Sequence, residues 1–127
     1  MPMKSIIAVL LLLAATLPAF ADGRTTNDSV YSKAQAEAGE KLYQDHCLLC
    51  HDKKYFRPVF KTWEGKSLGM MNTVMNTSMP LNNPASLALQ DYVDILAYML
   101  SLNRYPAGDE PLPNDNDALE AIIITAR

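Results

Sequence analysis

The apolar positions of this chain are unevenly spread, and each cluster has its own period. Residues 6–15 form an unbroken apolar run behind Lys4, closed by Pro18 and the small-x-small triplet Ala19-Phe20-Ala21. Such a run is about half the roughly 20 residues that a bilayer-spanning helix needs, so it reads as a secretory leader cleaved after Ala21. Residues 32–47 are helix formers throughout (Lys33, Ala34, Gln35, Ala36, Glu37, Ala38, Glu40, Lys41, Leu42), and Ser32 is a suitable N-cap. Leu68, Met71, Val74 and Met75 recur at helical spacing and predict a short amphipathic helix over residues 67–76, with Met70 off the stripe. Near the end, Val93, Leu96, Ala97 and Leu100 mark one helix face and Ile95, Tyr98, Met99 and Leu102 the other. Apolarity that wide predicts a helix buried on more than one side.

Gly39 interrupts the first predicted helix at a cost of about 1 kcal/mol against alanine. Close approach of a crossing helix would explain it. After Gly108 the chain is rich in proline and aspartate up to Ala118, then apolar over residues 119–124. An apolar end on a polar linker is expected to dock on its own domain or on a partner subunit.

Composition refines this picture. The chain has 127 residues with 11 Lys+Arg against 14 Asp+Glu. Removing the leader takes away Lys4 and leaves 106 residues with a net charge of −4. That balance disfavours nucleic acid as a partner, because phosphate binding wants a basic surface. With the leader gone, no stable membrane insertion is expected. The remaining charge is segregated. Residues 53–66 carry Lys53, Lys54, Arg57, Lys61 and Lys66 against Glu64, whereas residues 91–120 carry seven acids against Arg104. Such asymmetry would steer a partner toward the basic stretch, with Lys53, Lys54 and Lys61 contributing most.

The chemistry rests on the two cysteines, Cys47 and Cys50. A disulfide across so small a loop would stabilise poorly. A thioredoxin-type dithiol needs strand-helix-strand context, and no alternating β-branched runs flank the pair. Zinc would want four ligands, and Cys47, Cys50, His46 and His51 are crowded into one turn. The sequence Cys47-Leu48-Leu49-Cys50-His51 is instead the attachment pattern of a c-type haem. Two thiols add across the two vinyl groups on one porphyrin edge, and the adjoining imidazole reaches the iron. The motif occurs once, so one covalent haem c is expected.

A thioether opposite histidine would raise the potential and close the iron to substrates. Met79 is the best candidate for this sixth ligand, with Met75 or Met71 next. It stands before Pro80 in a polar loop, where a solvated position should not prefer an apolar side chain. Pro80 also biases it toward extended backbone.

From Ala34 to Leu112 these residues resemble the small monohaem class I cytochromes c of the bacterial periplasm. Gly39, Tyr43 and Cys47 stand four apart, the segment from Tyr92 to Ser101 looks like the family's C-terminal helix, and Met79-Pro80 matches its sixth-ligand loop. The extension from Asn103 to Gly108, with Leu112 after it, is similar to a subgroup associated with periplasmic dehydrogenases, quinoprotein or sulfur-compound oxidising.

The resemblance implies an all-α cytochrome c fold, with N- and C-terminal helices crossing and one short helix and loops wrapped round the haem. In that crossing Ile95 and Tyr98 would face Gly39 and Tyr43, with an aromatic side chain over the glycine. His51 and Met79 would ligate the iron, Trp63, Met71 and Met75 would line the pocket, and the Pro58 carbonyl would receive the Nδ1 proton of His51. A cytochrome domain over residues 32–108 would follow a flexible segment 22–31 and precede an extension 109–127. The implied role is a periplasmic carrier of single electrons from a dehydrogenase toward an oxidase or another cytochrome of the respiratory chain. A subunit of a stable dehydrogenase complex and a haem sensor or enzyme with a labile sixth ligand are the alternatives. This chain has Ala88 where subgroup relatives often place a Ser or Thr N-cap, which points to a last helix starting at Asn83-Pro84. At its other end Asn103 would take the left-handed conformation.

Overall fold

The computed structural model describes residues 23–127, and the segment read as a leader lies outside the described residues. The chain is mostly helical. A two-residue strand β1 (Arg24–Thr25) precedes α1 (Lys33–His46), α2 (Phe56–Thr62), α3 (Leu68–Ser78), α4 (Leu89–Leu102) and α5 (Asn116–Glu120), and β2 (Ile122–Ile123) follows.

Helix α1 starts where its N-cap predicts, with the Ser32 hydroxyl oxygen accepting from the Gln35 N–H at 3.2 Å. Its glycine marks the crossing with α4. A Cβ on Gly39 would lie 1.8 Å from the Asp94 carbonyl oxygen, so only a hydrogen atom lets the two backbones touch. The atoms nearest that position are the main chain of Asp94 and Ile95. Tyr98 packs one turn away, edge-on against Tyr43 with ring centroids 5.3 Å apart.

Of the fourteen residues of α4, eight are buried, which is why its apolar positions cover more than one face. The helix begins later than Asn83-Pro84. Ala85 has a left-handed backbone, φ 58°, and that breaks any helical run opened at Pro84. Ala88 is the N-cap, with no side-chain hydrogen bond of its own. The C-terminal expectation also shifts by one residue, since Asn103 keeps φ −89° and Arg104 takes φ 63°. The N–H of Tyr105 reaches the Leu100 carbonyl at 3.2 Å and that of Arg104 the Ser101 carbonyl at 3.0 Å. These bonds form a Schellman closure, with arginine where glycine is usual.

Helix α3 is capped by Ser67, whose hydroxyl oxygen accepts from the Met70 N–H at 3.0 Å, and runs slightly past its predicted end. The Ser67 hydroxyl also bonds the Glu120 carboxylate. A Cβ on Gly69 would come within 2.6 Å of the Glu120 side chain, so α5 lies directly on the start of α3.

Residues 109–127 pack into the same core as the rest, with Leu112, Leu119, Ile122 and Ile124 all buried. Each contributes roughly 1.5–3 kcal/mol by burial. The amide of Gln35, itself buried, both donates to the Leu112 carbonyl at 3.1 Å and accepts from its N–H at 2.7 Å.

In place of a flexible lead-in, residues 23–31 are built into the fold. Thr26, Val30 and Tyr31 are buried, and β1 pairs in parallel with β2, Arg24 opposite Ile122 and Thr25 opposite Ile123. On its other side the final segment pairs with the loop before α3, where Ile124 and Lys66 bond at 2.8 Å and Gly65 returns a bond to Ile124 at 2.8 Å.

Candidate functional site: the turn after the first helix and the loop after the third

Helix α1 ends inside the cysteine motif. The N–H groups of Cys47 and Leu48 both donate to the Tyr43 carbonyl at 2.9 Å, and the His51 N–H donates to the Cys47 carbonyl at 2.8 Å. This tight turn places both thiols and the imidazole on one loop. Cys47 is half-buried against the core, Cys50 is exposed, and neither is in a disulfide. Burial pushes the Cys47 thiol up to about 11, because desolvation disfavours the thiolate.

His51 is half-buried, with its ring 4.5 Å from that of Tyr55 and 5.6 Å from that of Phe56. Its carbonyl accepts from the fully buried Tyr43 hydroxyl at 2.6 Å. Its Nδ1 atom is buried and has no hydrogen-bond partner. The bond expected from Nδ1 to the Pro58 carbonyl is not made. Pro58 is exposed in the first turn of α2, where a helical carbonyl points along the axis and a missing N–H does no harm.

Met79 caps the C-terminus of α3 in extended backbone, φ −123° and ψ 152°, the conformation that the following proline favours. Its N–H donates to the Met75 carbonyl at 2.9 Å, and its own carbonyl accepts from the buried Tyr92 hydroxyl at 2.7 Å. The same hydroxyl accepts from the Leu87 N–H at 3.4 Å. Met71 is in the core, Met75 and Trp63 are half-buried against it, and Met70 is exposed, as its place off the stripe implies. The stripe is not fully covered by protein, since Val74 is 48% exposed, and Leu49 and Leu81 stand out at 98% and 79%.

The structure thus gathers Cys47, Cys50, His51, Tyr43, Tyr55 and Phe56 in one neighbourhood and Met79 with Tyr92 in another. Helix α4 serves both, through Tyr98 against Tyr43 and Tyr92 against Met79. Six residues separate these tyrosines, an axial rise of about 9 Å. Sequence reasoning missed the Tyr92 hydroxyl on the Met79 carbonyl and the Tyr43 hydroxyl on the His51 carbonyl. The available signal was that a tyrosine on a buried helix face must find an acceptor for its hydroxyl.

Around the site, Lys53 pairs with Glu40 at 3.6 Å, and the Tyr98 hydroxyl and Glu40 together hold its pKa above the ordinary lysine value. Lys66 lies over the Trp63 ring, 4.8 Å from its centroid. Among the described residues no helix is long and apolar enough to cross a membrane. No protein-family model, curated protein or solved structure matches this chain.

Proposed function

We propose that this chain is a periplasmic electron carrier holding one covalent haem c, taking single electrons from a dehydrogenase and passing them to an oxidase or another cytochrome. The observation that carries the reading is the turn at the end of α1, where two thiols separated by two residues adjoin an imidazole whose buried Nδ1 lacks a partner. A thioether on extended backbone after α3 completes a donor set suited to low-spin iron. The crossing of α1 and α4 and the exposed apolar side chains Val74 and Leu81 support a cytochrome c architecture over residues 32–108.

When bound, the haem supplies reversible one-electron chemistry. Cys47 and Cys50 would hold it through thioethers, and His51 and Met79 would ligate its iron. Tyr43 fixes the main chain of His51 from below, so the ring swings little when charge on the site changes. Tyr92 does the same for Met79. With both ligand loops tied to buried hydroxyls, little rearrangement should accompany each electron.

The optical spectrum of the oxidised protein tests the reading. A weak far-red band from sulfur-to-iron charge transfer is expected, absent in Met79→Ala and retained in Met75→Ala. Loss in Met75→Ala alone would reassign the ligand, and a purified chain with no covalently bound haem would end the proposal.

A further inference from the structure

We propose that the cleft between α2 and the turn that closes α4 binds a small organic anion carrying two or more acidic groups. The cavity measures ≈ 420 Å³, within the range of sites that take small molecules. Arg57 and Lys61 line it from α2, Arg104 from the end of α4, and Arg127 from the chain's last segment. Arg57 and Lys61 are four apart and so share a helix face. The sequence separates the other two widely, and only the folded chain brings them beside the basic stretch.

None of these four cations has a carboxylate partner; among the described residues the one ion pair is Lys53 with Glu40. Glu64 is the single acidic side chain lining the cleft. Four cations against one carboxylate around a single cleft leave an excess of positive charge, which a multivalent anion would relieve. Guanidinium forks are shaped for two-point contact with carboxylate or phosphate.

One of the forks is held in place. The Nε of Arg127 donates to the Arg104 carbonyl, and Arg104 occupies the left-handed position where glycine is ordinary. A cation has thus been placed where backbone preference asks for no side chain at all. Beneath them lie the buried rings of Phe60 and Tyr105, with centroids 5.8 Å apart, which offer an apolar floor to the body of an organic anion. The concavity and this floor favour a small molecule over a flat protein surface.

The test is a titration of the purified, isotopically labelled protein with citrate, with pyrophosphate and with acetate at physiological salt, followed by amide chemical shifts. Citrate should give saturable shifts centred on Phe60, Arg104 and Tyr105 and acetate should not, while saturation by pyrophosphate without citrate would mark a bare phosphate site and overturn the organic-anion assignment. Arg104→Gly suits the backbone and should weaken binding about tenfold, as loss of one charge-assisted contact implies, whereas Lys53→Gln should leave it unchanged. Shifts that stay linear through the millimolar range, an equal response to acetate, or equal weakening by Lys53→Gln would each overturn the assignment. These outcomes do not depend on whether the chain carries a haem.

Discussion

The buried hydroxyl of Tyr92, in the first turn of α4, donates to the carbonyl of Met79 at 2.7 Å and so ties the loop after α3 to the most deeply buried helix. Tyr92→Phe removes this donor and leaves a half-buried carbonyl without it, at a cost of about 1–3 kcal/mol. On the proposed function the far-red band should persist at neutral pH but be lost at a lower pH than in the unsubstituted protein. A pH titration of that band measures it. An unchanged midpoint would show that Tyr92 does not position the ligand.

The Tyr43 hydroxyl is pushed up to about 12, chiefly by burial and then by the nearby Cys47, Tyr98 and Asp52. Because the folded protein keeps this proton where the unfolded chain loses it, the sign is fixed. The contribution of Tyr43 to stability is constant below about pH 10 and falls between about 10 and 12. Denaturant midpoints should drop over that window, and less so in Tyr43→Phe, which starts lower at neutral pH because the His51 carbonyl has lost its donor.

Gly39→Ala places a methyl group 1.8 Å from the Asp94 carbonyl oxygen, a contact between two helix backbones that no rotamer can relieve. The helices must separate, and the loss should reach or exceed the 1–3 kcal/mol typical of overpacking. Gly23→Ala is the control, with nothing within 4 Å of the added carbon. Thermal denaturation of the two variants distinguishes them.

Leu119→Ala opens a cavity beneath α5, where the leucine is fully buried, and should destabilise the whole molecule by about 2–5 kcal/mol. A single unfolding transition that moves as one is the expected outcome. Were residues 109–127 an independent appendage, the variant would leave the main transition in place.

On the proposed function, electron transfer to a protein partner should slow from low to high ionic strength, as steering through residues 53–66 implies. Lys54→Gln and Lys61→Gln should flatten that dependence more than Lys53→Gln, because Lys53 already faces Glu40 at 3.6 Å. A rate indifferent to salt would remove the steering argument.

Much of this was legible in advance. The N-caps Ser32 and Ser67, the doubly apolar α4 and the helix contact at Gly39 follow from local rules about hydrogen bonding, periodicity and steric room. The start of α4 was not legible, because it depends on a left-handed Ala85 and on Tyr92 accepting from Leu87, neither of which leaves a trace in residue spacing. The flexible reading does not hold for residues 23–31, for a similar reason. Their order comes from partners about a hundred positions away, such as Asn27 with Thr125 and Thr26 with Ile123. In the candidate site, the cysteine motif and Met79 were readable as chemistry, but the tyrosine hydroxyls that anchor their main chains were not. The Pro58 expectation came from family resemblance and took no account of the helix that Pro58 enters.

The parallel pairing of Arg24 with Ile122 and of Thr25 with Ile123 has a consequence for assembly. A chain made from its amino end holds residues 24–26 without their hydrogen-bonding mates until nearly a hundred more residues have been added. Closing so long a loop must come before those contacts can repay it. Residues 24–26 therefore gain these partners only once the last strand is in place, whatever the order in which the helices pack.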